Sequence, residues 1–197
     1  MPSLRSQLRQ KRRSLSDGHR IAAAEAVCNT ISGHMSFLKA KRISIYMAND
    51  GELDPSLLAA IAVEAGKTCY LPVMSDRLLS WRSAPMVFQA YDPRHDPLVV
   101  NRYGILEPPF DPHGLCKPEM LDLLFMPLVG FDKTGNRLGM GKGFYDRTLA
   151  GLTRRFRRPM LIGLAYDAQQ VERIEPNPWD ISLDAVVTES GWFRATR

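Results

Sequence analysis

The sequence predicts an α/β fold in which a mainly parallel sheet lies between layers of helices. Segments with strand periodicity alternate with segments of helical periodicity along the chain, which is typical of this class. A continuous apolar run at residues 121–129 indicates a central strand that is covered on both faces. The length of 197 residues, with 45% apolar and 24% charged residues, fits one globular domain with its own core.

The chain begins with two predicted helices. Leucines form an apolar stripe along the basic segment 3–15, which indicates a surface helix whose arginines are mostly solvated, with one or two free to reach a phosphate. Ser16-Asp17 is a typical N-cap, and it predicts a second helix that runs to about Met35.

A strand, a turn and a third helix come next. Alternating apolar residues predict a strand at 41–47, and Asp50-Gly51 is turn chemistry. Asp54-Pro55 predicts the N-cap and first residue of a helix that ends near Ala65. Glu52 is therefore expected in a loop at the carboxyl end of a strand, the edge where open α/β sheets bind ligands. The alternative interpretation of Glu52 is a solvated loop acid.

The rest of the chain predicts short strands, one long connection and one further helix. The strands are expected at 67–73, 78–83, 86–89, 121–129, 160–165 and 184–188, and the helix at 145–152. Residues 92–118 have little periodicity and are rich in Pro, Asp, His and Gly, so they predict a long surface loop of the kind that often binds ligands.

The segment 135–147 contains four glycines, three basic residues and one carboxylate between the apolar run and the last helix. Strand, glycine loop and helix is an order that holds phosphate, because glycines allow close approach and helical N–H groups point at the anion. The segment matches neither a Walker A loop, since Gly143 follows Gly141-Lys142, nor a dinucleotide fingerprint. The alternative is a glycine-rich hairpin or helix entry with solvated basic residues.

Charge and cysteine usage narrow the class of protein. The net charge of +5 fits an anionic ligand, either a nucleotide or a nucleic acid. Three cysteines without a CxxC pair argue against a disulfide framework and a zinc site, and they favour a reducing cytoplasm. The sequence shows no signal peptide and no apolar run of membrane-spanning length.

These motifs, in this order, resemble the 5-formyltetrahydrofolate cyclo-ligase family, also called 5,10-methenyltetrahydrofolate synthetases. The resemblance covers nearly the whole chain, and its most specific part is the segment 132–147. The other matching motifs are Leu4-Arg5, Arg42–Met47, Asp50-Gly51-Glu52, Tyr103-Gly104-Ile105, Glu107-Pro108, Met126-Pro127, Phe131-Asp132, Asp180 and Asp184–Thr188.

The resemblance implies one cyclo-ligase domain over residues 1–197, with a three-layer α/β sandwich of the NagB/RpiA/CoA-transferase-like type. It implies closure of 5-formyltetrahydrofolate, including polyglutamated forms, to 5,10-methenyltetrahydrofolate, with ATP and Mg²⁺ and with release of ADP and phosphate. Phosphorylation of the formyl oxygen would activate a poor electrophile for intramolecular attack by N10. A cytoplasmic monomer without nucleic-acid or membrane partners is expected.

The resemblance also implies roles for individual residues. The expected ATP contacts are Arg5, Arg137, Leu138, Gly139, Met140, Gly141, Lys142, Gly143, Phe144 and Tyr145. The expected folate contacts are Met47, Glu52, Met140, Gly141, Lys142, Gly143 and Phe144. The expected catalytic residues are Arg137, Lys142 and Tyr145, and the expected Mg²⁺ ligands are Asp146 and Asp180. The alternatives are a charge at a helix start for Asp146 and a turn cap for Asp180.

The sequence departs from the family pattern at two positions. Met1 stands where the family often has a Lys or Arg, which leaves open a missing cation or a truncated start, and Met140 stands where some relatives have Arg. Two other functions stay open. One is a related enzyme that uses the same ATP loop on another formyl or pterin-like substrate. The other is a nucleic-acid-binding module that uses the first helix and Arg154–Arg158.

Overall fold

A computed structural model of the protein describes residues 2–74, 86–152 and 158–196. The helices are α1 (Leu4–Arg13), α2 (Asp17–Ser32), α3 (Met35–Lys39), α4 (Ser56–Glu64) and α5 (Phe144–Leu149). The strands are β1 (Arg42–Ser44), β2 (Thr68–Met74), β3 (Met86–Ala90), β4 (Val99–Val100), β5 (Leu106–Glu107), β6 (Leu115–Cys116), β7 (Leu123–Pro127), β8 (Gly130–Phe131), β9 (Arg137–Leu138), β10 (Met160–Leu164), β11 (Ala185–Thr188) and β12 (Gly191–Arg194). The strand predicted at 78–83 lies outside the described residues.

The described strands form one large sheet and two small hairpins. The large sheet has eight strands in the order β12-β11-β10-β7-β1-β2-β3-β6. Its five central strands, from β11 to β2, are all parallel. β12, β3 and β6 pair antiparallel at the two edges. The predicted, mainly parallel sheet is therefore confirmed. The small hairpins are β4–β5 and β8–β9.

The central strand β7 separates two hydrophobic cores. Leu123 and Phe125 point into a core with α2 and α4, whereas Leu124 and Met126 point into a core with Leu149 of α5. Successive side chains of a strand point to opposite faces of the sheet, so an apolar run of this kind needs cover on both sides. The predicted arrangement, with helices on both faces, is therefore confirmed. None of the helices in the described residues has the length and apolar character needed to cross a membrane.

Several predicted boundaries are wrong by one to three residues. The second predicted helix ends at Ser32, with Gly33 at its C-cap, and α3 starts separately behind the N-cap His34. β1 contains only three residues. Asp54 does not cap α4 as its N-cap; Pro55 occupies that position, and the Asp54 carboxylate accepts hydrogen bonds from Ser56.

The predicted long loop contains the strands β4, β5 and β6, which are too short to produce a periodic pattern. Side chains hold the tip of the β4–β5 hairpin. The Asn101 side-chain oxygen accepts hydrogen bonds from the backbone of Tyr103 and Ile105. Glu107 accepts hydrogen bonds from the Asn101 amide and from the backbone of Met74. This loop is therefore an ordered hairpin tied to the end of β2.

Gly163 of β10 provides a test of the packing between the sheet and its surroundings. A Cβ atom there would lie 2.6 Å from Cδ2 of Leu128 and 2.7 Å from Cδ1 of Leu183. We expect Gly163→Ala to lower the free energy of unfolding by about 1–3 kcal/mol, because overpacking forces these side chains to shift. Chemical denaturation measures the change. Gly18→Ala in α2 is the control: nothing lies within 4 Å of its Cβ position, so the variant should gain up to about 1 kcal/mol. Equal changes in the free energy of unfolding for the two variants would contradict the close packing at Gly163.

Candidate active site

Loops that follow β1, β7 and β10 meet at one edge of the sheet, where α1 lies beside them. Arg12 of α1 donates hydrogen bonds to the backbone oxygens of Asp50, after β1, and Leu128, after β7. Gln169, after β10, donates to the backbone oxygens of Leu128 and Val129. Because β1, β7 and β10 are parallel, these loops share the carboxyl edge of the sheet, where open α/β sheets bind ligands.

A hairpin separates β7 from the glycine loop. Asp132 organises its turn by accepting hydrogen bonds from the backbone of Thr134, Asn136 and Ile174. Burial opposes ionisation of Asp132, yet hydrogen bonds from the Thr134 side chain, the Ile174 backbone, and the Asn136 side chain and backbone hold its pKa below its usual range. The structure thus contains the hairpin of the alternative interpretation, while Arg137 on β9, with a side chain only 6% exposed, is not solvated as that interpretation requires.

The glycine loop runs from Gly139 to Gly143 and leads into α5. Gly141 has a φ of 91° and Gly143, the N-cap of α5, has a φ of 60°. Both adopt a left-handed backbone conformation that would be strained in a residue with a side chain. Arg5 of α1 donates from Nε to the backbone oxygen of Gly139 at 2.8 Å. Its guanidinium carbon lies 3.7 Å from the Cβ position of Gly141. The structure therefore brings Arg5 together with the loop that the sequence predicts to bind phosphate.

Arg137 contacts one of the two predicted metal ligands, Asp146, and the other, Asp180, precedes a residue that also contacts Asp146. Nη2 of Arg137 donates to Oδ1 of Asp146 at 2.7 Å, and the same oxygen accepts from the backbone of Ile181 at 3.1 Å. Asp180 precedes Ile181, and its Oδ2 accepts from the backbone of Asn177 at 2.8 Å. Asp146 lies in the first turn of α5 and Asp180 caps a turn, so both alternative roles are also present.

The two carboxylates fit Mg²⁺ only together with phosphate oxygens. Among the described residues, no group of three or more His, Cys, Asp or Glu side chains is placed to hold a metal ion. In that part of the chain, the hydrogen bonds of Asp146 fall on Oδ1 and those of Asp180 on Oδ2, so the other oxygen of each is available to a ligand. Mg²⁺ is typically bound by one or two carboxylates together with phosphate oxygens and waters. The two aspartates can supply the carboxylates of such a site.

Lys142 packs against the tip of the β4–β5 hairpin. Its ammonium lies 3.8 Å from the ring centroid of Tyr103, and the Tyr103 and Phe144 rings are 5.5 Å apart. Arg147 donates to the backbone oxygen of Lys142 at 2.7 Å. The cation–π contact keeps the ammonium next to the glycine loop. Tyr103 thus belongs to the site, although the sequence assigned it no role. Met140 is exposed at the tip of the loop.

Glu52 is a buried carboxylate, so its interpretation as a solvated loop acid is wrong. Its side chain is 11% exposed, and its Oε1 lies 3.7 Å from Nη1 of Arg12. Oε2 accepts a hydrogen bond from the backbone of Asn49 at 3.1 Å. Burial raises the pKa of Glu52 to about 7, although Arg12 and the Asn49 hydrogen bond favour the charged form. Glu52 therefore titrates near neutral pH.

The charges of Glu52 and Arg137 both act on the Tyr145 hydroxyl. Burial raises its pKa above the usual range, the charge of Glu52 raises it further, and the charge of Arg137 opposes the shift. The hydroxyl is therefore protonated at neutral pH and can donate a hydrogen bond. Met47 is half-buried against the core of α2 and α4, whereas Phe131 is fully in the core below α5. Leu138 is half-buried on β9.

The basic residues of α1 differ from expectation in one respect. The sequence places most of them on a solvated face, but Arg12 is completely buried one helical turn after the buried Leu8. Arg9, Arg12 and Arg13 all form ion pairs with Asp50. These arginines of α1 are therefore already paired within the protein, whereas a nucleic acid would need them for its phosphates. Most of the second predicted basic cluster, at 154–158, lies outside the described residues.

The fold and the site define an α/β enzyme with a glycine loop against Arg5, two aspartates beside that loop and a separate, nearly buried glutamate. A model of the 5-formyltetrahydrofolate cyclo-ligase family matches residues 1–189. The 5-formyltetrahydrofolate cyclo-ligase of Escherichia coli K12 is 37% identical over 93% of this chain and 97% of its own. The Haemophilus influenzae cyclo-ligase is 36% identical over 91% of this chain and 92% of its own.

A solved structure agrees with these relatives. The NMR structure of Aquifex aeolicus 5,10-methenyltetrahydrofolate synthetase superposes with a TM-score of 0.77 at 31% identity, over 99% of this chain and 94% of that one. The chain belongs to the 5-formyltetrahydrofolate cyclo-ligase family. The predicted family and the predicted class of enzyme are therefore confirmed.

Proposed function

We propose that the protein uses Mg-ATP to close 5-formyltetrahydrofolate to 5,10-methenyltetrahydrofolate, with release of ADP and phosphate. The observation that carries the proposal is the set of contacts around the glycine loop: Arg5 donates to the Gly139 oxygen at 2.8 Å, and Arg137 donates to Asp146 at 2.7 Å. Tyr145, which precedes Asp146 in α5, is affected by the charges of both Arg137 and Glu52. Arg137 belongs to the phosphate side of the site and Glu52 to the folate side. A phosphoryl group and a formyl group bound to these two sides would meet at Tyr145.

On the phosphate side, backbone N–H groups of Gly139–Gly143 and the guanidinium of Arg5 hold the ATP phosphates. Arg137 and Lys142 neutralise the charge of the transferring group, and Leu138, Met140, Phe144 and Tyr145 complete the contacts of the loop. Phosphoryl transfer needs mainly positioning and charge neutralisation, which these groups supply. Asp146 and Asp180 would hold Mg²⁺, which would supply positive charge to offset the charge of the phosphates.

On the folate side, Glu52 accepts hydrogen bonds from the pterin amino group and ring N–H. Its burial supports this role, because a carboxylate shielded from water discriminates strongly for a partner that satisfies it. Met47 and Phe144 give apolar contact to the flat ring, together with the backbone of Met140–Gly143. The Tyr145 hydroxyl, protonated at neutral pH, donates to the formyl oxygen and orients it.

The reaction then balances in two steps. The formyl oxygen attacks the γ-phosphorus, the bond to the β–γ bridging oxygen breaks, and ADP leaves. The resulting N5 iminium phosphate is attacked at its carbon by N10, which releases its proton to water, and cleavage of the C–O bond releases phosphate. Because N10 belongs to the same molecule, the second step gains from proximity once the site holds the side chain in place.

The Glu52→Gln variant tests the folate side. We expect the KM for 5-formyltetrahydrofolate to rise about 10- to 100-fold and the KM for ATP to change less than about twofold, because one charged hydrogen-bond acceptor contributes about 1.5–3 kcal/mol. Steady-state kinetics with each substrate varied in turn measures both constants. Glu25→Gln, on the exposed face of α2, is the matched control and should leave both constants unchanged. Equal increases in both KM values would contradict the pterin assignment.

Further predictions remain part of the proposal: the single domain over residues 1–197, the monomeric state, the use of polyglutamated folate and the cytoplasmic location. The cytoplasmic location is supported by the cysteines. Cys28, Cys69 and Cys116 are free thiols and buried, which fits a reducing compartment.

A further inference from the structure

The turn that carries Glu52 has a backbone that needs external support. Asp50 has a φ of 54° and Gly51 a φ of 76°, so two successive residues lie in the left-handed region. A non-glycine residue there is uncommon and is held by its surroundings. The Asp50 carboxylate pairs with three arginines of α1, namely Arg9, Arg12 and Arg13.

Arg12 differs from the other two arginines in burial and in the number of groups that it holds. It is fully buried, whereas the Arg13 side chain is 56% exposed. Arg12 donates to the Asp50 backbone oxygen at 3.1 Å, to Asp50 Oδ2 at 2.9 Å and to the Leu128 oxygen at 3.1 Å. Its Nη1 also lies 3.7 Å from Oε1 of Glu52. One guanidinium therefore joins the turn, the end of β7 and the Glu52 carboxylate.

We propose that Arg12 is a positioning residue for the folate substrate, which fixes the Asp50–Glu52 turn and holds the Glu52 carboxylate in its binding position. The inference rests on the proposed folate role of Glu52. Arg12 and Arg5 lie on the same helix, so α1 would connect the folate turn to the glycine loop at Gly139. Removal of Arg12 alone should weaken the folate side while Arg5 keeps its contact.

Arg12 also controls the charge of Glu52. Among the described residues, the titratable groups that interact with Glu52 are Arg12 from α1, Asp50 from its own turn, Tyr46 after β1 and Tyr145 from α5, and the Tyr166 hydroxyl after β10 donates to the Glu52 backbone oxygen. Arg12 is the cation in this set and lowers the pKa of Glu52 against the effect of burial. Without Arg12 the pKa would rise further above about 7, so more of Glu52 would be protonated at neutral pH. The acid limb of kcat/KM for folate should therefore move to higher pH.

The test compares Arg12→Met with Arg13→Met. Arg13 also pairs with Asp50, but it is an exposed side chain that contacts only Oδ1 of that carboxylate. We expect Arg12→Met to raise the folate KM at pH 7 about tenfold, to change the ATP KM less than about twofold, and to move the acid limb up by about one pH unit. Arg13→Met should leave all three near the values of the unchanged protein. Arg12→Lys keeps the positive charge, so its acid limb should lie at the same pH as in the unchanged protein. This variant carries the test if Arg12→Met does not fold.

The Glu52→Gln background separates the positioning role of Arg12 from the folate role of Glu52. There, Arg12→Met should add no shift of the acid limb, because the titrating group is gone. If Glu52→Gln raises the folate KM but Arg12→Met moves neither that constant nor the acid limb, the positioning role is overturned and the proposed function stands. Parallel increases in the folate and ATP constants would also overturn it. A normal folate KM in Glu52→Gln would overturn the folate role of Glu52 and this inference with it.

Discussion

Replacing Arg137 by alanine is expected to lower kcat/KM for ATP about 100- to 1,000-fold. Arg137 is a nearly buried cation at the end of the β8–β9 hairpin, fixed by its 2.7 Å contact with Asp146. A preorganised charge of this kind stabilises the transferring phosphoryl group without reorganisation, and loss of one such donor typically costs two to three orders of magnitude. Steady-state kinetics with ATP as the varied substrate measures the effect.

Two further variants make the Arg137 result interpretable. Arg173→Ala removes an exposed arginine that pairs with Glu175 on the surface, and it should leave kcat/KM unchanged. Arg137→Lys keeps the charge but loses the planar fork, so it should retain part of the activity. Thermal unfolding of each variant separates loss of catalysis from loss of structure. A folded Arg137→Ala variant within about threefold of the unchanged protein would remove Arg137 from the phosphate site.

Replacing Asp146 by asparagine is expected to raise the Mg²⁺ concentration for half-maximal rate at least about tenfold and to lower the maximal rate. Asparagine has the same shape and can still accept the hydrogen bond from the backbone N–H of Ile181, whose nitrogen lies 3.1 Å from Oδ1 of Asp146. It removes the negative charge that a hard cation prefers. Initial rates across a Mg²⁺ titration at fixed ATP measure both quantities.

The Asp146 result also has a structural alternative. Asp146 pairs with Arg137, so the substitution could act by releasing that arginine instead of by weakening the metal. Asp92→Asn, which changes an aspartate paired with Arg94 outside the site, is the control for the loss of one acidic charge. An unchanged Mg²⁺ dependence with a lower maximal rate would remove the metal role and leave Asp146 as the residue that orients Arg137.

The sequence was sufficient for those parts of the fold that depend on local patterns. The apolar run around β7 predicted a strand covered on both faces, and its alternate side chains do enter two cores. It was not sufficient for β12, and it predicted the β8–β9 hairpin only as an alternative. β12 depends on antiparallel pairing with β11, and β8 and β9 contain two residues each, so neither produces a periodic signal of its own.

The site shows the same division. Arg5 and the glycine loop could be predicted because their residue types and order resemble a known family, and the structure brings them together at Gly139. The burial of Arg12 could not, because a basic residue on a basic helix is usually solvated. Its environment is created by the loops after β1 and β7. Leu128, in the loop after β7, is more than a hundred residues from Arg12 along the chain. Tyr103 belongs to a matching motif but received no role for a similar reason, since its contact with Lys142 joins two distant loops.

The most direct test is to mix the purified protein with 5-formyltetrahydrofolate, with and without ATP and Mg²⁺, and to follow the ultraviolet absorbance of the methenyl product. We predict that absorbance grows only when ATP and Mg²⁺ are both present. Absence of product, under conditions in which ATP still raises the melting temperature, would contradict the assigned reaction. The glycine loop would then remain a nucleotide site, and the enzyme would act on a different substrate.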